Sequence, residues 1–147
     1  MKKLPPIEKV FEAWTARADN RVDLTDNSAT VSSSDGTKSY KVNFRDNLYS
    51  SDDNATFWQG YPGYPVIAVL MLQGKLPLDR AEADLWKDIN WTELNKKNKN
   101  NYAKAVKEVA DLRGINLDEA YEAAQKVMEA LTELPIEIKR KIPEVKK

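Results

Sequence analysis

The chain has 147 residues, 23 basic and 23 acidic side chains and a formal net charge of zero, and it contains neither cysteine nor histidine. This excludes a disulfide framework, a thiolate or imidazole metal site, a cysteine nucleophile and the commonest general base near neutral pH. It also excludes a global electrostatic footprint for nucleic acid, so any such role rests on local charge. Helical spacing of Ile7, Val10, Phe11, Trp14 and Ala18 predicts a first helix over 6–17, opened by Pro5 and Pro6. Short strands follow at 21–24 and 29–33, with a tight turn at Asp35-Gly36. Residues 39–45 alternate cleanly, Tyr40, Val42 and Phe44 on one face and Lys41, Asn43 and Arg45 on the other. A further extended piece is expected at 48–51.

The chain then turns helical. Pro65 stands at a first helical position, 66–73 is apolar nearly all round and Gly74 is the expected cap. A helix over 79–89 has Asp79 as N-cap, with Leu85, Trp86 and Ile89 expected to point inward; Asn90 and Glu93 form a capping-box pattern ahead of a short helix. Residues 101–113 and 116–134 read as antiparallel neighbouring helices, broken at Gly114 and stopped by Pro135. Pro143 and the terminal lysines read as a frayed tail. The expected fold is therefore α+β: a small antiparallel sheet of about three strands packed by helices, with a C-terminal antiparallel helical hairpin. The expected organisation is an N-terminal part over 1–78 and a helical part over 79–147 sharing one core. The longest apolar run, 66–72, is too short to span a bilayer, and no secretory leader is read, so a soluble cytoplasmic protein with no membrane partner is expected.

The order of elements around residues 40–74 resembles the SWIM zinc-finger module. In that family a strand leads to a Cys-x-Cys pair, then a variable loop, then a Cys-x-His pair opening a helix that reads Ile-x-Ala-Val-Leu. Here Tyr40 and Val42 match the strand, and Ile67, Ala68, Val69 and Leu70 match the helix. Tyr49 and Ser51 stand at the first paired positions and Tyr64 and Val66 at the second, with residues 52–63 as the intervening loop. The resemblance covers 21–74. None of the four paired positions can supply a zinc ligand, so the resemblance implies a metal-free relic, closed by apolar burial, that needs no cofactor. It further implies a non-catalytic binding module with a nucleic-acid or protein partner.

Two features bear on that partner. The loop "NATFWQGYPGYP" carries Phe57, Trp58, Tyr61 and Tyr64, which can be stacking platforms or plugs that fold back on the core; Phe57 and Tyr64 read as plugs, Trp58 and Tyr61 as either. Lys96, Lys97, Lys99, Lys104 and Lys107 occur with no acid between them, and Lys139, Arg140 and Lys141 follow near the end. Such clusters are solvated helix faces or anion-binding patches. Trp58, Tyr61 and the first five lysines form the candidate surface for nucleic acid. The alternative is a protein-interaction or self-assembly subunit that exposes part of the apolar stripes over 101–134. An enzyme would have to work with Asp, Glu, Lys or Tyr alone, and the pattern selects no such site.

Overall fold

The computed structural model describes residues 3–142; the tail read at Pro143 and beyond lies outside them. Helix α1 (Glu8–Ala18) is followed by strands β1 (Val22–Leu24), β2 (Ser28–Ser32), β3 (Ser39–Arg45) and β4 (Leu48–Ser51). A π-helical turn (Ala55–Gln59) leads to α2 (Tyr64–Leu72), α3 (Arg80–Leu85), α4 (Trp91–Lys97), α5 (Tyr102–Arg113), α6 (Leu117–Glu133) and β5 (Glu137–Ile138). The α+β class fits, but the sheet is larger than expected: five strands in the order β1-β2-β3-β4-β5, with six α-helices and the π turn among the described residues. Strands β1 to β4 form antiparallel pairs; β5 joins β4 in parallel, Leu48 opposite Glu137. The sheet is therefore mixed, which corrects the expectation of three antiparallel strands. Two residues after Pro135 carry no alternation to read, and their partner strand lies far away in sequence.

The β2–β3 turn is pinned by one carboxylate. Asp35 Oδ1 accepts from Ser33 Oγ at 2.7 Å, from the Thr37 N–H at 3.0 Å and from Thr37 Oγ1 at 2.7 Å. Register then sets the faces. Val22, Val31 and Tyr40 align across the sheet, as do Ala29, Val42 and Ser51, and Phe44 with Tyr49. This face closes on the helices; Lys41, Asn43 and Arg45 alternate onto the other.

Helix α1 is the hub. It packs on α2 and α3 and is approached by α5 and α6. Its apolar stripe is buried, but so are Lys9, Glu12, Ala13, Thr15, Ala16 and Arg17 on its other sides. The small Ala13 and Ala16 allow close approach from more than one direction. The Phe11 ring makes edge contacts with Trp14 at 5.0 Å, Trp86 at 4.6 Å and Tyr121 at 5.1 Å. Each such burial contributes roughly 1.5–3 kcal/mol. Helices α5 and α6 are joined through Gly114, at φ +68° in the left-handed region that an L side chain rarely adopts. Helix α6 approaches α1, and α5 approaches both α1 and α4.

Helix starts follow the caps. Asp79, Asn90, Asn101 and Asn116 each accept the N–H three residues on, as N-caps do. One inward assignment fails: Leu85 is 46% exposed, whereas Trp86 and Ile89 are buried. Neighbouring positions at a helix end differ by about 100° of rotation, so Leu85 and Trp86 cannot both face the core. The buried apolar side chains form one cluster that runs from α1 and the sheet through α2 to α5 and α6. No helix of the described residues is long and apolar enough to cross a membrane.

Candidate functional site

A cavity of about 520 Å³ opens between α1, the loop with the π turn, and the segment from α4 into α5. Its floor is α1. Lys9 Nζ lies 3.1 Å from Glu12 Oε2, with the two side chains 10% and 8% exposed. Glu12 Oε1 accepts from Asn95 Nδ2 at 3.3 Å, whereas Oε2 is out of hydrogen-bond geometry with any donor among the described residues. Burial lifts the Glu12 carboxyl above its ordinary value, and the Lys9 charge opposes the lift without cancelling it. For Lys9 the balance falls the other way: burial presses its pKa down, but Glu12, Tyr102 and Tyr61 outweigh it and the ammonium ends above its ordinary value. Lys9 Nζ also stands 4.2 Å from the centroid of the Tyr102 ring, a close cation–π contact.

Arg21 adds a second cation to the lining. Its Nη1 donates to the Ser32 carbonyl, and its Nε lies 3.6 Å from Asp19 Oδ2. Nε and Nη2 are buried and carry no hydrogen bond among the described residues. Tyr64 lines the same wall. Burial raises its hydroxyl pKa, with the Arg21 charge opposing, so it stays a neutral donor. The site thus holds buried polar atoms with spare capacity, an acceptor on Glu12 and donors on Arg21, in a space large enough for a ligand or ordered water.

The aromatic wall is held by Asp53. Its Oδ1 accepts from Ser51 Oγ and its Oδ2 from the Thr56 N–H at 3.0 Å, while Thr56 Oγ1 accepts from the Gly63 N–H at 2.9 Å. The two ends of the loop are so tied together, and a Cβ on Gly63 would collide with Asp53 Oδ2. Residue 63 is glycine because that carboxylate needs the room. Between the ties the chain makes a π turn, a rare form found mostly at functional sites. Trp58 projects from it, 63% exposed, with its ring 4.8 Å from that of Phe57. Tyr61 and Tyr64 are half-buried in the same lining, and Phe57 is half-buried outside it. Tyr64 meets Tyr40 edge-on at 6.2 Å.

The opposite rim is formed by the segment from α4 into α5. Asn95, Asn100 and Tyr102 line the cavity, and Lys96, Lys97, Lys99 and Lys104 are their exposed neighbours in the chain. Lys97 is paired with Glu108 at 3.1 Å, and Lys107, further along α5, with Asp111 at 2.6 Å. Lys96, Lys99 and Lys104 make no ion pair with the described residues. The fold brings Trp58 and Tyr61 to one side of a pocket whose other side is the lysine-bearing turn, although the two segments are far apart in sequence. Lys9, Glu12 and Arg21 went unread as site residues. The signal of the α1 pair was faint: polar side chains on the far face of a helix whose alanines also mark burial.

The four positions aligned with zinc ligands go to different places. Tyr49 is buried; its hydroxyl donates to Gln73 Oε1 at 2.7 Å and accepts from Lys75 Nζ at 2.8 Å, beyond the C-terminal end of α2. Tyr64 is at the N-terminal end of the same helix, and Ser51 is engaged nearby through Asp53. Val66 is fully buried in the core. No group of three or more His, Cys, Asp or Glu side chains among the described residues could hold a metal ion. A third feature is a shallower groove of about 330 Å³ between α4 and α5, bordered by Ile89, Leu94, Val109 and Leu112, the last 81% exposed.

Residues 2–137 match the family described as Uncharacterised conserved protein UCP014422, and the chain belongs to that family. No curated protein matches the chain. No solved structure matches it either.

Proposed function

We propose that this chain is a non-catalytic, metal-free binding module whose pocket receives a base of a single-stranded nucleic acid. The observation that supports the reading is the placement of Trp58 and Tyr61 across a cavity floored by Lys9 and Glu12 from Asn95, Asn100 and Tyr102, in the α4-to-α5 segment that also carries the exposed Lys96, Lys99 and Lys104. Each part suits one part of a nucleotide. An exposed indole offers a face for stacking, worth roughly 1–3 kcal/mol per base. Glu12 Oε2, Arg21 and the Asn95 and Asn100 amides offer acceptors and donors for a base edge. The rim lysines offer charge for the phosphates without the global basicity a duplex binder shows. The neighbourhood of Lys9 and Asn95 gives Glu12 a partner-holding role in place of proton transfer. A reducing, cytoplasmic setting accords with a chain free of cysteine.

Titration of the protein with single-stranded DNA and RNA and with duplex, at two salt concentrations and followed by tryptophan fluorescence, tests the reading. Single strands are expected to bind more tightly than duplex, with affinity falling as salt rises, and Trp58→Ala is expected to weaken binding at least about fivefold. No binding at low salt, or equal binding by Trp58→Ala, overturns it.

One observation favours a second reading, a protein-interaction or self-assembly subunit with no nucleic-acid role. Leu112 stands almost fully exposed beside the groove between α4 and α5. Light scattering decides it: a concentration-dependent increase in mass that Leu112→Glu abolishes supports this reading, and a monomer at all concentrations removes self-assembly.

A further inference from the structure

The sheet has a second face, and it is not neutral. Between β2, β3, β4 and the segment after β5 lies a groove of about 680 Å³. Among the described residues the charged side chains lining it are cations: Lys41 and Arg45 on β3, Arg140 and Lys141 on the opposite wall. Asn43 adds hydrogen-bonding capacity between the two β3 cations. Asp52, the acid that follows β4, spends its Oδ1 on the Lys41 backbone N–H at 2.8 Å.

Both walls are fixed by backbone bonding. Lys41 and Arg45 sit on a central strand paired on both sides. The opposite wall follows directly on β5, which is strapped to β4: the Glu137 N–H donates to the Asn47 carbonyl at 2.9 Å, and the Lys139 N–H to the Tyr49 carbonyl at 2.8 Å. Charge is spread over both walls, with Lys41 on β3 and Arg140 and Lys141 opposite. A line of cations suits a polyanion better than a single small anion. The groove also approaches the pocket through one side chain. The Arg140 guanidinium lies 5.4 Å from the ring centroids of both Phe57 and Trp58, and Trp58 lines the cavity on its other side.

We infer that this groove is a phosphate-backbone track for a single-stranded nucleic acid, carrying the same strand past Arg140 to the pocket where its base stacks on Trp58. The inference rests on the nucleic-acid reading of the pocket and adds a second, separable contact surface. It requires that affinity grow with strand length, because a short ligand reaches only the pocket.

The test uses the full chain and the double variant Lys41→Glu/Lys141→Glu, both side chains exposed and outside the lining of the pocket. Binding of a dinucleotide and of a fifteen-nucleotide single strand is compared across a salt series. The variant is expected to hold the dinucleotide as the unmodified protein does, but to bind the long strand roughly tenfold or more weakly. The slope of log affinity against log salt should fall by about 0.7 for each lost phosphate contact. The conservative pair Lys41→Arg/Lys141→Arg is expected to retain long-strand affinity, which separates charge from folding. Unchanged long-strand affinity and slope in the charge-reversed variant overturn the track and leave the pocket standing. Failure of the unmodified protein to bind either ligand overturns both.

Discussion

Lys9 and Glu12 stand one turn apart on α1, at the floor of a cavity, with Nζ and Oε2 at 3.1 Å and both side chains about nine-tenths buried. Removing one member leaves the other charged and poorly solvated, which is the costly half of any buried pair. Lys9→Met and Glu12→Gln are each expected to cost about 3 kcal/mol, the low end of the usual range because the cavity admits solvent. The double variant is expected to cost less than the sum of the two. Denaturant unfolding of the four proteins measures the coupling, and strict additivity contradicts it.

The same pair sets a pH dependence. Glu12 has a folded-state pKa above its ordinary value of 4.5, so the folded form binds more protons than the unfolded chain just above that value. Its contribution is fully present below 4.5 and is lost as pH rises through the folded value. Lys9, also raised, contributes below 10.5 and loses that contribution as pH rises through its own folded value. Thermal unfolding from pH 4 to 7 is expected to show a falling component in the unmodified protein that Glu12→Gln lacks. Parallel profiles for the two proteins contradict the assignment.

Gly63 is tied to Thr56 through its N–H and crowded by Asp53. Gly63→Ala is expected to displace the Asp53 carboxylate and destabilise the chain by about 1–3 kcal/mol, the range for an overpacked site. Gly63→Ala/Asp53→Ser removes the obstructing carboxylate and is expected to recover part of the loss. If Gly63→Ala melts with the unmodified protein, the close approach has no energetic weight.

Thr15 joins three elements through one hydroxyl, which donates to the Trp86 carbonyl at 2.5 Å and accepts from Trp91 Nε1 at 2.8 Å. Thr15→Val keeps the shape and strands a buried indole N–H, so a loss of about 1–3 kcal/mol is expected. Thr15→Ser is expected to keep most of the stability. Equal destabilisation by Val and Ser would assign the effect to packing.

Tyr49, Ser51, Tyr64 and Val66 are held by hydrogen bonds and burial. A chelator is therefore expected to leave the melting temperature unchanged, and added zinc to do the same. A shift of several degrees with either reagent contradicts a metal-free module.

Much of the scaffold was legible because its signals are local. The alternation at 39–45, the caps Asp79, Asn90, Asn101 and Asn116, and the breaks at Gly74 and Gly114 each act within a few residues, and the helices and strands begin and end near them. What went unread depends on distant segments. Strand β5 exists because β4 offers it an edge. Lys9 and Glu12 lie off the apolar stripe of α1, and only the packing of helices from the second half of the chain turns that side into a cavity floor. The aromatic loop and the lysine-rich turn could each be named from composition, but their meeting across one pocket is a property of the tertiary fold.

The account stands or falls on where a single strand binds. Titration of isotopically labelled protein with a short oligonucleotide, followed by amide chemical shifts, measures this residue by residue. The expected result is a set of shifts confined to residues 9–12, 21, 54–61, 95–102 and the Arg140 region, in register with a change in the Trp58 indole signal. Shifts centred on Leu112 and the α4–α5 groove, or none at saturating oligonucleotide, would contradict it.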